Sequence, residues 1–238
     1  MLLDVVLTTS ALTSQAISGK TLVAIDILRA SSTIVTALAN GCRAVIPVLT
    51  PEEAFELKKR DPDVILGGER KGLRIPGFDK GNSPLEYMSS DIVGRRLVLT
   101  TTNGTRLIRK GQEADTLLVG SLLNAQAVAR EVLKLKRDTL LACAGTLDRF
   151  SLDDFVGAGS IVREIVRFSP DVSLSDIALA AMKVSASGDP VLSLKESFHV
   201  RKLMELGFAQ DLDYCSRLNL YGVVPRLTEK GIECLEKV

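Results

Sequence analysis

Short apolar, β-branched runs alternate with helical patterns over the first two thirds of the chain. Runs at 4–7, 22–25, 44–48, 64–67, 97–101, 116–119 and 140–144 predict strands. Between them, apolar residues at helical spacing predict helices near 32–40, 52–59, 104–110 and 121–136. Pro51-Glu52-Glu53 marks a helix start, with proline in the first turn and acids at the positive end of the dipole. Strands alternating with helices imply right-handed crossovers and a mostly parallel sheet covered on both faces, an α/β fold. From 153 onward the pattern becomes helix-rich (153–168, 174–186, 190–207 and 209–217), ending in a short apolar run at 221–224 and an amphipathic tail. No low-complexity linker intervenes, so 1–238 reads as a single α/β unit with sheet-rich (1–150) and helix-rich (151–238) portions as candidate subdomains.

The polar residues gather where strands end. Asp26 follows the apolar run 22–25, and Ala30-Ser31-Ser32-Thr33 opens the next helix, with Arg29 between them. In open α/β sheets ligands bind at the carboxyl ends of strands. A helix start adds free N–H groups suited to an anion, and Arg29 could clamp that anion bidentately. The same segment also reads as an ordinary turn with Ser31 or Ser32 as N-cap. A second strand runs into Gly67-Gly68-Glu69-Arg70, followed by a long turn-rich loop containing Asn82 and Ser83. There Ser83, Pro84 and Glu86 have capping-box spacing. A third ends in Thr100-Thr101-Thr102-Asn103-Gly104-Thr105, more hydroxyl and amide groups than one cap requires. A fourth ends at Cys143, which without a neighbouring base reads as a buried, inert thiol. Asp153 and Asp154 then sit in the first turn of a helix, suiting its dipole and forming an acidic patch. Strand-end acids Asp26, Glu69, Asp153 and Asp154 form an all-oxygen set that favours Mg²⁺ over zinc. His199 lies far along the chain in the helical half and reads as a surface or partly buried helix residue.

Charge and composition narrow the classes. Thirty basic and 29 acidic side chains leave a formal net charge of +1, no footprint for nucleic acid or an anionic membrane. The four cysteines are widely scattered with no CxxC, which argues against structural zinc or a disulfide framework and fits a reducing cytoplasm. The start of the chain makes a poor signal peptide, and no apolar stretch reaches membrane-spanning length.

Taken together, IDILRASSTIVTALANG, LGGERKGLRIPGFDKGNSPLE, TTTNGT, CAGTLDRFSLDDFVGAG and YGVVPRL resemble the 2-phosphosulfolactate phosphatase family over nearly the whole chain. The resemblance implies a three-layer α/β/α fold and a Mg²⁺-dependent phosphatase releasing phosphate from (2R)-phosphosulfolactate to leave (R)-3-sulfolactate. It makes site candidates of Asp26, Arg29, Ser31, Glu69, Arg70, Asn82, Ser83, Asn103, Thr105, Cys143 and Asp154, with Ser32 beside them at the helix start. Asp26 and Arg29 are the expected catalytic pair, and Asp26, Glu69 and Asp154 the expected metal ligands. Arg70 is expected to meet the second anionic group of the substrate. Asp26 could be the nucleophile or a metal ligand, since the aspartyl-phosphatase signature DxDx[TV] is absent. The contrasting reading is a non-catalytic binder of small phosphorylated metabolites. The expected partner is a small phosphoester, with a homodimer as the candidate assembly.

Overall fold

The computed structural model describes residues 1–187, 194–195 and 197–234. The predicted strands form as β1 (Leu2–Val6), β2 (Thr21–Ile25), β3 (Ala44–Pro47), β4 (Ile65–Arg70), β6 (Arg96–Thr100), β7 (Thr116–Gly120) and β8 (Thr139–Cys143), with a two-residue β5 (Leu73–Arg74) after β4. Helices α1 (Ser14–Ile17), α2 (Ala30–Ala39), α3 (Pro51–Arg60), α4 (Gly104–Lys110), α5 (Ala125–Leu135) and α6 (Leu152–Phe168) connect them. A short β9 (Ser173–Leu174) and α7 (Asp176–Ala186) follow. Helix α3 starts where its sequence says: Pro51 occupies the first turn, Thr50 Oγ1 accepts from Glu53 N at 3.2 Å, and Lys58, Lys59 and Arg60 meet the negative end of the dipole.

The last quarter departs from the periodicity. Of the stretch 190–207, Phe198–Glu205 is a described helix and residues 194–195 are helical, while residues 190–193 and 196 lie outside the described residues. The next helix is Ala209–Cys215. Residues 221–224 form no strand, and the tail instead makes a hairpin, β10 (Pro225–Thr228) and β11 (Gly231–Cys234). These four-residue strands are too short and too mixed in polarity to stand out in the sequence. Their turn is closed locally by Thr228 Oγ1, which donates to the Gly231 carbonyl at 3.0 Å.

The hairpin occupies the middle of an eleven-stranded sheet ordered β5-β4-β6-β3-β11-β10-β7-β2-β8-β1-β9. On one side β4, β6 and β3 run parallel, and on the other β7, β2, β8, β1 and β9 do. Between them β11 pairs antiparallel with β3, and β10 with β7. Strand twist of about 20–25° per step accumulates across such a sheet, and the carboxyl ends of β2, β4 and β6 meet. Strand β2 is buried along its whole length and alternates between two cores. Val23 and Ile25 pack with Leu118, Leu141, Val156 and Ile161 beneath α5 and α6, while Leu22 and Ala24 pack with Leu117, Leu140, Leu107 and Ile108 beneath α4. This is the three-layer α/β arrangement. Each such side chain stabilises by about 1.5–3 kcal/mol relative to exposure, so an unbroken apolar run survives only in a strand covered on both faces.

Candidate active site

Strand β2 delivers Asp26 to the foot of α2. Its Oδ1 accepts from Ala30 N at 3.1 Å, so the carboxylate itself satisfies a free donor of the helix start. The serines expected to cap this helix or hold an anion do not cap it, and their hydroxyls turn to the backbone. Ser31 Oγ donates to the Asp26 carbonyl at 2.7 Å and Ser32 Oγ to the Ile27 carbonyl at 2.8 Å, which braces the loop and leaves both hydroxyl protons spent. Gly104, opening α4, makes the close approach of β6 and β2 possible. A Cβ there would stand 2.4 Å from Ala30 Cβ and 2.7 Å from Asp26 Oδ2. Gly68 serves β4 similarly, with φ +143° and room for no Cβ against the Thr100 carbonyl at 2.0 Å.

Asp26, Arg29, Glu69, Asn82 and Asn103 line one cleft of about 270 Å³. The strand ends therefore converge as their polar residues suggest, but several roles change. Glu69 pins loops together: Oε1 accepts from Thr102 N at 2.7 Å, and Oε2 from Gly72 N at 2.7 Å and Thr102 Oγ1 at 3.2 Å. Arg29 does not offer a free fork. One terminal nitrogen donates to Asp211 Oδ2 and the other to the Gly72 carbonyl, both at 2.7 Å, and the guanidinium stacks 4.0 Å from the Phe208 ring centroid. Ser83 Oγ donates to the other Asp211 oxygen at 2.6 Å and makes no cap, so the predicted capping box is absent. Arg70 turns away from the cleft to the carbonyls of Glu69 and Leu49 and to Thr100 Oγ1. Asn103 Oδ1 accepts from Leu147 N at 3.3 Å. Thr105 closes a reciprocal pair with Thr101, each hydroxyl accepting from the other's backbone N–H at 3.1 Å. Asn82 differs from all of these: its Oδ1 is buried with no hydrogen-bond partner among the described residues.

The expected metal set does not assemble, and among the described residues no three His, Cys, Asp or Glu side chains form a metal-binding group. Asp154 is a structural bolt. Its two oxygens accept from Ile27 N at 2.9 Å and Gly145 N at 3.0 Å, tying α6 to two strand ends. Burial, with the charges of Asp153 and Asp26 adding to it, pushes its carboxyl well above the usual range. Cys143 and Arg149 match the Cys-x5-Arg spacing of thiolate phosphatases, yet the local structure opposes that chemistry. The thiol is buried at the end of β8 and outside the cleft lining, Arg149 is exposed, and burial with the neighbouring Asp154 and Asp153 charges raises the thiol well above its ordinary value.

The residue that sequence reasoning missed is His199. Its helix, Phe198–Glu205, lies against the cleft and also contributes Lys202 and Leu203. His199 Nδ1 stands 3.4 Å from Asp153 Oδ2, and Asp153 Oδ1 accepts from Ser151 Oγ at 2.6 Å and Ser197 Oγ at 3.2 Å. Burial works against the imidazolium, but the Asp153 hydrogen bond and charge, helped by Asp26, outweigh it and raise its pKa. Burial likewise opposes the Asp153 carboxylate, but the His199 hydrogen bond and charge, together with the Ser151 hydroxyl, outweigh it, so Asp153 is held below its usual value. Asp26 goes the other way, pushed up to about 6 by burial, against the attraction of His199 and the Ala30 N–H. The only sequence signal was that this is the single histidine of the chain. Lys71 and Lys202 also border the cleft and have no ion-pair partner within 4.0 Å among the described residues.

A buried carboxylate at a strand end of an α/β sheet, with an imidazole and lysines beside it in one cleft, is an arrangement suited to a small anion. The chain belongs to the 2-phosphosulpholactate phosphatase family, whose model matches residues 6–230. Relatives named "Probable 2-phosphosulfolactate phosphatase" include one from Clostridium acetobutylicum, 41% identical over 234 residues that cover 98% of this chain and 100% of the relative. Another, from Carboxydothermus hydrogenoformans, is 46% identical over 206 residues, 87% of this chain and 85% of the relative. A third, from Symbiobacterium thermophilum, is 44% identical over 227 residues, 94% of this chain and 97% of the relative.

Proposed function

We propose that the cleft hydrolyses a small phosphomonoester carrying a second anionic group, converting (2R)-phosphosulfolactate to (R)-3-sulfolactate and phosphate. The observation that carries this reading is the meeting of Asp26, Asn82 and His199 in one small cleft with Lys71 and Lys202, which make no ion pair among the described residues. A pure anion binder gains nothing from a buried carboxylate facing its ligand unless a cation intervenes.

Mg²⁺ fits the donors at hand better than the set expected from sequence. It is held by one or two carboxylates with waters and substrate phosphate completing its shell. Asp26, through the oxygen that does not cap α2, and Asn82, through its unpartnered Oδ1, would hold it, with Glu69 and Asp154 already committed elsewhere. When bound, the ion spreads the negative charge of the transferring phosphoryl group. Arg29, fixed by Asp211 and lining the cleft, adds positive potential without leaving its protein partners. Lys71 and Lys202, in place of Arg70, receive the sulfonate or carboxylate. No helix among the described residues is long and apolar enough to cross a membrane, and the buried free thiols Cys42, Cys143 and Cys215 accord with a cytoplasmic setting.

The test is phosphate release from (2R)-phosphosulfolactate and from p-nitrophenyl phosphate, with Mg²⁺, with Mn²⁺ and with chelator. Turnover should need Mg²⁺ and survive Mn²⁺ substitution. Tight binding of substrate with no release under any condition would establish the binder instead, and full activity after exhaustive chelation would exclude the metal.

A further inference from the structure

The geometry points to His199 as the general acid that protonates the departing alcohol, with Asp153 as the residue that positions it. This inference rests on the phosphatase reading. Cleaving an alkyl phosphomonoester leaves a poor leaving group, because a secondary alkoxide is strongly basic and leaves readily only if a proton arrives as the ester bond breaks. The residues around Asp26 supply charge, but a proton donor must come from elsewhere. Arg29 is held by Asp211 and Gly72 and gives up no proton. Cys143 lies outside the cleft lining. Asp26 and His199 both line the cleft; with Asp26 given to the metal, His199 is the remaining lining side chain, among the described residues, suited to proton transfer near neutral pH.

Its surroundings are those of a held donor. Asp153, almost fully buried, takes Nδ1 at 3.4 Å and is itself fixed by Ser151 and Ser197. With Nδ1 so occupied, the proton available to the cleft is the one on Nε2. The helix carrying His199 also brings Lys202 to the cleft, and other elements bring Asp26, Arg29, Glu69 and Lys71. Cations and anions therefore share the cleft with the imidazole, and the dyad with Asp153 is the only ion pair it makes among the described residues.

The step balances as follows. A water oxygen forms a bond to phosphorus while the bond from phosphorus to the substrate's bridging oxygen breaks, its electron pair remaining on that oxygen. The Nε2 proton passes to the same oxygen, giving the alcohol. The attacking water releases its proton, and His199 is reprotonated from solvent before the next turnover. The net reaction is ester plus water to alcohol plus phosphate.

The experiment compares leaving groups. His199→Gln should lower kcat/KM for (2R)-phosphosulfolactate by about 10²–10³-fold. With p-nitrophenyl phosphate, whose phenolate departs without a proton, the loss should stay below about tenfold, because acid catalysis acts only where the leaving group needs it. Asp153→Asn, which removes the positioning charge, should show the same split with a smaller loss. An equal loss on both substrates overturns the proposal and makes His199 a binding or structural residue. If neither variant folds, the wild-type protein decides. Across phenyl and alkyl phosphates its kcat should depend weakly on leaving-group basicity, and a steep dependence overturns the proposal. A wild-type protein that releases phosphate from none of these esters overturns the phosphatase reading itself, a result distinct from a uniform loss in the variants.

Discussion

Replacing Asp26 by Asn should make the protein more stable while removing its activity. The wild-type carboxyl rises from its ordinary 3.8 to about 6 on folding, because burial penalises the charge more than His199 and the Ala30 N–H relieve it. Each pH unit is worth about 1.4 kcal/mol, so ionised Asp26 costs the native state roughly 3 kcal/mol at neutral pH. The attraction of His199 is already contained in that figure. Between 3.8 and 6 the folded protein binds more protons than the unfolded chain, so wild-type stability falls as pH rises through this window. Asparagine carries no such charge, and its Oδ1 can still accept from Ala30 N, since Asn caps helices as well as Asp does. For a domain of this size each kcal/mol moves Tm by about 2–4 °C, so Asp26→Asn should melt several degrees higher at pH 8, up to about 12 °C. The two proteins should melt together near pH 4. The assay is thermal unfolding against pH in chelator, so that metal binding to the wild type does not add stability. In parallel, kcat should fall on the order of a thousandfold, as for loss of a principal charge-stabilising group. A variant less stable than wild type at pH 8, or offset by the same amount at pH 4 and pH 8, would refute the reasoning.

Two further outcomes follow from other parts of the site. Cys143→Ser should retain most of the wild-type kcat, because the thiol is buried outside the cleft lining and its pKa is raised, and steady-state kinetics will show whether it does. Asp211→Ala should lower stability by about 3–5 kcal/mol in denaturant unfolding, the cost of leaving one member of a buried ion pair uncompensated. It also frees Ser83, and retention of wild-type stability would show that Arg29 finds another partner.

The local elements and the gathering of polar residues at strand ends were legible in the sequence because each rests on short-range rules. A strand covered on both faces must be continuously apolar, so β2, β7 and β8 stood out, and helix α3 carried its proline, acids and bases within ten residues. Asp26 and Glu69 could be nominated because polar residues at the ends of apolar runs have few other reasons to be there, whereas Asn82, in the long loop after β4, was nominated by the family resemblance. What each polar residue does was decided only by folding. Hydrogen-bonding capacity is finite, and the tertiary structure spent it: Arg29 on Asp211 across 182 positions, Asp154 on Ile27 across 127, and Glu69 on Thr102 across 33. No local pattern reports such pairings, so a guanidinium that reads as an anion clamp becomes a fixed post and a carboxylate that reads as a ligand becomes a bolt. His199 shows the converse. Nothing beside it in the chain suggests chemistry, yet packing of its helix sets it against Asp153, 46 residues earlier, and within electrostatic reach of Asp26. The central hairpin has the same origin, since two four-residue strands are stable only between β3 and β7, which the chain completes long before it reaches them.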